Sequence, residues 1–164
     1  MAKRISKSQF MMGLQCPKRL WLYNFRKELL PPVEPGTQRL FDEGHAVDEI
    51  SRNYFKGGKL VAFDFRQLSH AIKHTDYLIK EGARLIYEGA FAAAGVLIRC
   101  DILKKNADGS WDLVEVKSST SVKEEHLPDA AIQRYVLEAA GVKVRKTWLM
   151  HLNNQFVKDG PIDA

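Results

Sequence analysis

The sequence has little cysteine, no long apolar run and no acid near its start, and each of these shortages excludes something. Only Cys16 and Cys100 are present, far apart and without a CxxC pair. That argues against a disulfide scaffold and against a zinc site made of cysteine alone, and makes a reducing, cytoplasmic setting the expected compartment. The longest apolar candidate, Ala90 to Ile98, is interrupted by Gly95 and is too short to cross a bilayer. No secretory h-region precedes the body of the chain. Pro17 and the many aromatic residues of the first segment speak against an organelle transit peptide. With 164 residues, 45% hydrophobic and 27% charged, the composition is that of one soluble domain and excludes bulk disorder.

What is present begins with charge. Residues 1–27 carry Lys3, Arg4, Lys7, Lys18, Arg19, Arg26 and Lys27 and no Asp or Glu, a charge of +7. Against a whole-chain +5, the remainder is left at −2. Phe10, Trp21, Tyr23 and Phe25 are interleaved with these cations. Such an arm suits a polyanion, because Lys and Arg displace counterions from phosphates and aromatic rings stack on bases. The alternative is a solvated helical face over an aromatic stripe.

Ser6 or Ser8 can cap a first helix through Leu14, and Pro17 can open a second through Asn24. Pro31, Pro32, Pro35 and Gly36 read as a linker, dividing an arm over 1–36 from a core over 37–164. Leu40, Phe41, Gly44, Val47, Ile50 and Tyr54 keep helical spacing between Thr37 and Phe55, and Gly57-Gly58 stops that helix. Beyond it the pattern predicts a strand over Lys59 to Phe65, a helix over Leu68 to Lys80, and strands over Arg84 to Ala94, Val96 to Lys104 and Trp111 to Lys117. A helix over Leu127 to Ala140, ended by Gly141, and a strand over Val144 to Leu152 follow. This order predicts a mixed central β-sheet flanked by helices, an α/β fold with an N-terminal helical arm. The last residues form a turn signal with no closing element, as expected of the first domain of a longer chain.

The chemistry concentrates between Val96 and Ser119, VLIRCDILKKNADGSWDLVEVKSS. Asn106-Ala107-Asp108-Gly109-Ser110 reads as a hairpin turn, Gly109 supplying a positive φ. Centred on Asp108, opposite residues sum to 216, which sets Asp101 against Glu115, with Lys117 on the same side. Val96, Ile98, Cys100, Ile102, Val114 and Val116 then form an apolar opposite face. Like charges set opposite one another in a sheet are destabilising unless something offsets the repulsion. A divalent cation does so, and oxygen ligands of this kind select magnesium or manganese. The competing interpretation is an exposed face on which Lys117 pairs with one acid.

Asp101, then Glu115-Val116-Lys117 on the next strand, then a helix with Gln133 and Tyr135 resembles the PD-(D/E)XK nuclease superfamily. More narrowly it is similar to the RecB-like branch that includes the CRISPR-associated exonucleases. Ile5 to Ser8 and Gln15-Cys16-Pro17-Lys18-Arg19-Leu20-Trp21-Leu22 also resemble the start of bacterial proteins of unknown function assigned to that branch. The resemblance implies a restriction-endonuclease-like core and a metal-dependent nuclease acting on single- or double-stranded DNA. In it, Asp101, Glu115 and the Val116 carbonyl would hold Mg or Mn, and Lys117 would be the catalytic lysine. It also implies a ligand on the first core helix, where Gly44 is followed by His45 at once and by Asp48 four residues on. His45 is the expected ligand and Asp48 the alternative. Gln133 and Tyr135 are two apart, about 200° around a helix, rather than spaced as in the branch's QxxxY motif. Gln133 is therefore expected to point at the site and Tyr135 into the core. Glu88 is expected to be an ordinary strand residue. Cys16 fits the first ligand of the iron–sulfur cluster found in some relatives, whose other ligands would have to lie in a C-terminal part beyond this sequence. A nucleic-acid-binding module of the same fold without turnover is the rival reading.

Overall fold

The computed structural model of the protein describes residues 4–32, 35–62, 67–157 and 159. The chain opens with β1 (Ile5–Ser6), and Ser6 also starts the first helix. Its hydroxyl accepts the Gln9 N–H at 3.1 Å while the Gln9 side chain accepts the Ser6 N–H at 2.8 Å. This reciprocal pair is a capping box and fixes α1 (Lys7–Gln15) directly against the strand. Next comes α2 (Pro17–Phe25), with Pro17 at the first helical position, where a missing N–H goes unnoticed. A turn of 3₁₀ helix, Lys27–Leu29, leads on to α3 (Pro35–Ser51). Pro35 and Gly36 thus belong to the first turn of α3 rather than to a linker, and Val33 and Glu34 of the expected linker lie outside the described residues.

The rest alternates. After β2 (Lys59–Leu60) come α4 (Leu68–Lys80), β3 (Leu85–Ala93), β4 (Val96–Lys105), β5 (Trp111–Lys117), α5 (His126–Ala139) and β6 (Val144–His151). Of the strand expected over 59–65 only β2 is formed, and residues 63–66 lie outside the described set. The turn expected over 157–161 falls mostly outside it too. The β3–β4 connection is a two-residue loop, Ala94-Gly95, with φ of 49° and 77°. Two successive positive φ values match the right-handed twist of the strands they join.

Six strands make one mixed sheet in the order β2-β3-β4-β5-β6, with β1 on β4. The pairs β3–β4 and β4–β5 are antiparallel, whereas β2–β3, β5–β6 and β1–β4 are parallel. The β4–β5 pairs Ile102↔Val114, Leu103↔Leu113 and Lys104↔Asp112 keep the register that the turn predicts. One edge of β4 runs along β3 for nearly its whole length. The other edge is shared: β1 takes Val96 and Leu97, and β5 takes Ile102 onward. Between them lies an interval of β4 paired with neither, and Asp101 is in it.

Helices cover both faces. The larger core joins Ile86, Ile98, Cys100, Leu103, Trp111 and Leu113 of the sheet to Ala71 and Leu78 of α4 and to Ile132, Val136 and Leu137 of α5. Each large aliphatic among them contributes roughly 1.5–3 kcal/mol relative to exposure. A smaller cluster joins Tyr87, Ile102, Val114 and Val116 to Val47 of α3, Phe55 and Met150. The apolar back face expected of the hairpin is therefore divided. Ile98 and Cys100 go to one cluster and Ile102, Val114 and Val116 to the other. The alternation slips opposite Glu88, a strand residue with φ of +59°, where the Glu88–Asp101 pair is missing from an otherwise regular ladder. Ile50 of α3 and Tyr54 of the 3₁₀ turn that follows it, Arg52–Tyr54, are exposed rather than packed, while the side chains of Leu40 and Phe41 lie outside the described residues. The arm is tied to the sheet by β1, and Ile5 and Phe10 pack on the larger core.

At the hairpin end, buried Asp112 accepts two hydrogen bonds from Arg145, at 3.0 and 2.8 Å, and one from Asn106 at 2.9 Å. Arg145 first, then Asn106 and Trp148, hold its carboxyl well below the usual range against the opposing effect of burial. A depressed acid adds stability above its unfolded pKa of about 4 and loses it as pH falls through the folded value. Arg145→Ala should therefore lower the melting temperature at pH 7, by an amount kept small because the arginine is half-exposed. The gap in melting temperature from wild type should narrow progressively in thermal unfolding below about pH 4.

Candidate functional site

Where β1 and β5 part along β4, the freed backbone N–H of Val116 finds a side chain. The Asp101 carboxylate accepts it at 2.7 Å. Asp101 therefore lies beside Glu115 across the opening but is turned onto the backbone of β5. Among the described residues no hydrogen bond or ion pair joins it to Lys117.

Glu115, Lys117 and Gln133 do come together. Glu115 is 2% exposed and sits on the side of the sheet covered by α5. Its Oε1 accepts the Lys117 ammonium at 2.8 Å, and its Oε2 accepts Gln133 Nε2 at 2.6 Å. Gln133, fully buried on α5, also donates to the Asp129 carbonyl at 3.3 Å. Tyr135, expected in the core, is 57% exposed instead, because the stripe that carries Gln133 against the sheet turns its neighbour two residues on to solvent.

Two members of the site are missing from the sequence-based reading. Lys7, 108 residues from Glu115, lays its ammonium on the same Oε1 at 2.8 Å and lies 3.1 Å from Asp129 Oδ1. Asp129, on the first turn of α5, also takes the Lys117 ammonium on its other oxygen. Two ammonium and two carboxylate groups thus form a closed, charge-balanced set. Asp129 was legible as an acid one helical turn before Gln133, on the same face. Lys7 was counted only as one of the basic arm's cations, and no local signal separates it from the others.

From the other face, α3 brings Asp48 rather than His45 toward the acids. His45 is exposed, while Asp48 is partly buried and feels the charges of Glu88 and Glu115. Glu88 is no ordinary strand residue. It is buried in a left-handed backbone conformation that costs of order 1–3 kcal/mol for a residue other than glycine. Two arginines hold it there, Arg52 at 2.8 Å and Arg99 at 2.6 Å.

Electrostatics divide these groups. Burial, then the charges of Glu115 and Asp48, raise the Asp101 carboxyl well above the usual carboxylate range, against the pull of Lys7. Burial, then Glu88 and Glu115, push Asp48 up to about 6. Burial opposes the charge on Lys7 and Lys117, but the carboxylates beside them outweigh it, so both are held above the ordinary lysine value. The same ammonium groups outweigh burial at Asp129 and keep it ionised. Lys117 is consequently a permanent cation at neutral pH. It can orient and stabilise negative charge, but it cannot accept a proton.

Among the described residues no three His, Cys, Asp or Glu side chains converge closely enough to enclose a metal ion. Asp101 is hydrogen-bonded to the N–H of Val116, the residue after Glu115, and feels the charges of both Glu115 and Asp48 of α3. Cys16 sits at the junction of α1 and α2, and Cys100 is buried in the larger core, where burial pushes its thiol up. Two recesses flank Lys7. One of about 220 Å³ is lined by Ser6, Ser8, Arg99 and Asp101 as well as Lys7. The other, about 540 Å³, opens between α1 and α5 and is lined by Lys7, Ser8, Arg19, Lys117, His126 and Asp129 among others. No known family model matches this chain, and no curated protein does either. Among the described residues no helix is long and apolar enough to cross a membrane.

Acids raised by burial and by one another bind more protons in the folded chain than in the unfolded one. Stability should then fall as pH climbs from about 4 through the Asp48 value near 6 and beyond. In chelator, Asp101→Asn keeps an acceptor for the Val116 N–H and removes the repelling charge. It should melt a few degrees above wild type at pH 8 and lose that advantage near pH 5, as read by differential scanning fluorimetry.

Proposed function

We propose that the protein is a magnesium- or manganese-dependent nuclease that hydrolyses phosphodiester bonds of DNA, on a restriction-endonuclease-like core of the RecB-like kind. One observation carries this reading: Asp101, on the stretch of β4 that neither β1 nor β5 pairs, feels the charge of a Glu115 that has one oxygen held by two ammonium groups. The Glu115 charge, after burial, raises the Asp101 carboxyl despite the opposing pull of Lys7. That donor set fits a hard divalent cation. Asp101, Glu115 and the Val116 carbonyl would hold it, with Asp48 in reach from α3. Bound there, such an ion lowers the pKa of a coordinated water and neutralises charge on a phosphoryl oxygen.

The chain's own residues supply the rest. Gln133 fixes the Glu115 carboxylate by a hydrogen bond from a fully buried position, so the orientation of that ligand is set before anything binds. Lys117, ionised and one-fifth exposed toward the larger recess, is placed to stabilise charge that develops on an attacked phosphate. Asp129 holds the Lys117 ammonium from the other side and keeps it from swinging away. Exposed Trp21 and Phe25 of α2, with ring centroids 5.7 Å apart, and the exposed cations Lys18 and Arg19 support contact with a nucleic-acid strand.

Radiolabelled single- and double-stranded DNA incubated with Mg²⁺ or Mn²⁺ tests the reading. Asp101→Asn, Glu115→Gln and Lys117→Met should each lower the cleavage rate by at least about 100-fold. Mn²⁺ should raise the melting temperature of wild type and not of Glu115→Gln. Undiminished cleavage by Asp101→Asn and Lys117→Met overturns the proposal. Salt-sensitive binding of DNA without any metal-dependent product favours the module that binds and does not cut.

A further inference from the structure

We infer that Lys7 is a phosphate-contacting residue, and that the nucleic-acid backbone runs over α1 from the Asp101 recess into the recess between α1 and α5. This rests on the nuclease reading for the identity of the anion and goes beyond it in naming the residue and the track.

The first support is position. Lys7 borders both recesses, one shared with Asp101 and the other with Lys117 and Arg19. An anion passing between the acids and the open groove must pass its ammonium. The second is hydrogen-bonding capacity. Of the three donors on an ammonium, Lys7 directs one at Glu115 and a second at Asp129 Oδ1, 3.1 Å away, which leaves the third. Lys7 is 21% exposed, so that donor can reach an incoming oxygen.

Charge balance supplies the third. Lys7 and Lys117 are matched by Glu115 and Asp129 while nothing else is bound. A divalent cation shared by Asp101 and Glu115 would leave the set positive, and a phosphodiester anion is the natural counter-charge. Arg19 extends the cationic wall, and His126 faces the same space as a neutral ring. Burial and Lys117 lower its pKa, and its Nδ1 accepts the Lys123 N–H at 3.2 Å, which leaves the proton on Nε2 to donate.

The test reads binding apart from cleavage. A short fluorescein-labelled DNA strand is titrated by fluorescence anisotropy in chelator over a series of NaCl concentrations, with wild type, Lys7→Gln, Lys7→Arg and Arg19→Ala. Lys7→Gln should weaken binding about five- to tenfold near 0.1 M salt. It should also reduce the slope of log affinity against log salt by about 0.7, the share of one phosphate contact on a single strand. Lys7→Arg, which keeps the charge, should stay within about threefold of wild type with an unchanged slope. Arg19→Ala should weaken binding in the same way as Lys7→Gln. If Lys7→Gln does not fold, as judged by its melting curve, Arg19→Ala decides alone. Wild-type affinity and slope in a folded Lys7→Gln, or in Arg19→Ala where Lys7→Gln is unfolded, overturn the inference, as does failure of wild type to bind the strand at any salt. Binding that obeys these expectations without cleavage sinks the nuclease reading and leaves the Lys7 contact standing.

Discussion

The architecture of the site depends on a vacancy in one hydrogen-bonding ladder. β4 offers a single free edge, and two partners use it from opposite ends, β1 at Val96–Leu97 and β5 from Ile102 onward. Where neither is paired, the backbone needs other partners, because buried peptide groups left unmatched are costly. The Asp101 carboxylate meets that need by capping the Val116 N–H. The same divergence opens room beside Glu115, and the capping box at Ser6 starts α1 there, so Lys7 enters the space as the first residue of its helix. The N-terminal arm is thus one wall of the site.

Much of this sheet can be read from sequence because it is local. The β4–β5 register follows from the loop at Gly109 and from alternation on either side, since a one-residue slip would turn every side chain over. The α4, β5 and α5 boundaries follow from periodicity and from stops such as Gly141. The failures arise where partners are distant. The short β1 has no alternation to detect and exists because β4 leaves it an edge. Lys7 differs from Lys3 or Lys18 only in what stands opposite it in space. The strained backbone at Glu88 has no signature in residue type, since glutamate does not favour positive φ; its ion-pair partners Arg52 and Arg99 come from 36 and 11 residues away. The slip it introduces is also why the expected apolar face of the hairpin divides between two clusters.

Helix geometry decides the placement of Gln133 and Tyr135. Two residues apart on a helix, they cannot share a face, and the fold gives the inward position to the amide. An amide is suited to it: it donates to Glu115 without adding charge to a cluster that already holds four charged groups. A tyrosine there would fill more of the space between α5 and the sheet, which the aliphatic chains of Ile132, Val136 and Leu137 already occupy.

The balance of charge also limits the chemistry. A lysine between two carboxylates stays protonated, so neither Lys117 nor Lys7 can remove a proton from water near neutral pH. The groups whose burial resists ionisation are Asp101 and Asp48, and their repulsion is relieved either by taking up protons or by sharing a cation. At low pH the acids are satisfied by protons, and at higher pH their repulsion returns. A repulsion that grows with pH is therefore built into the site. The ammonium pair on Glu115 keeps it folded meanwhile, because it prevents the most deeply buried of the acids from facing the interior uncompensated.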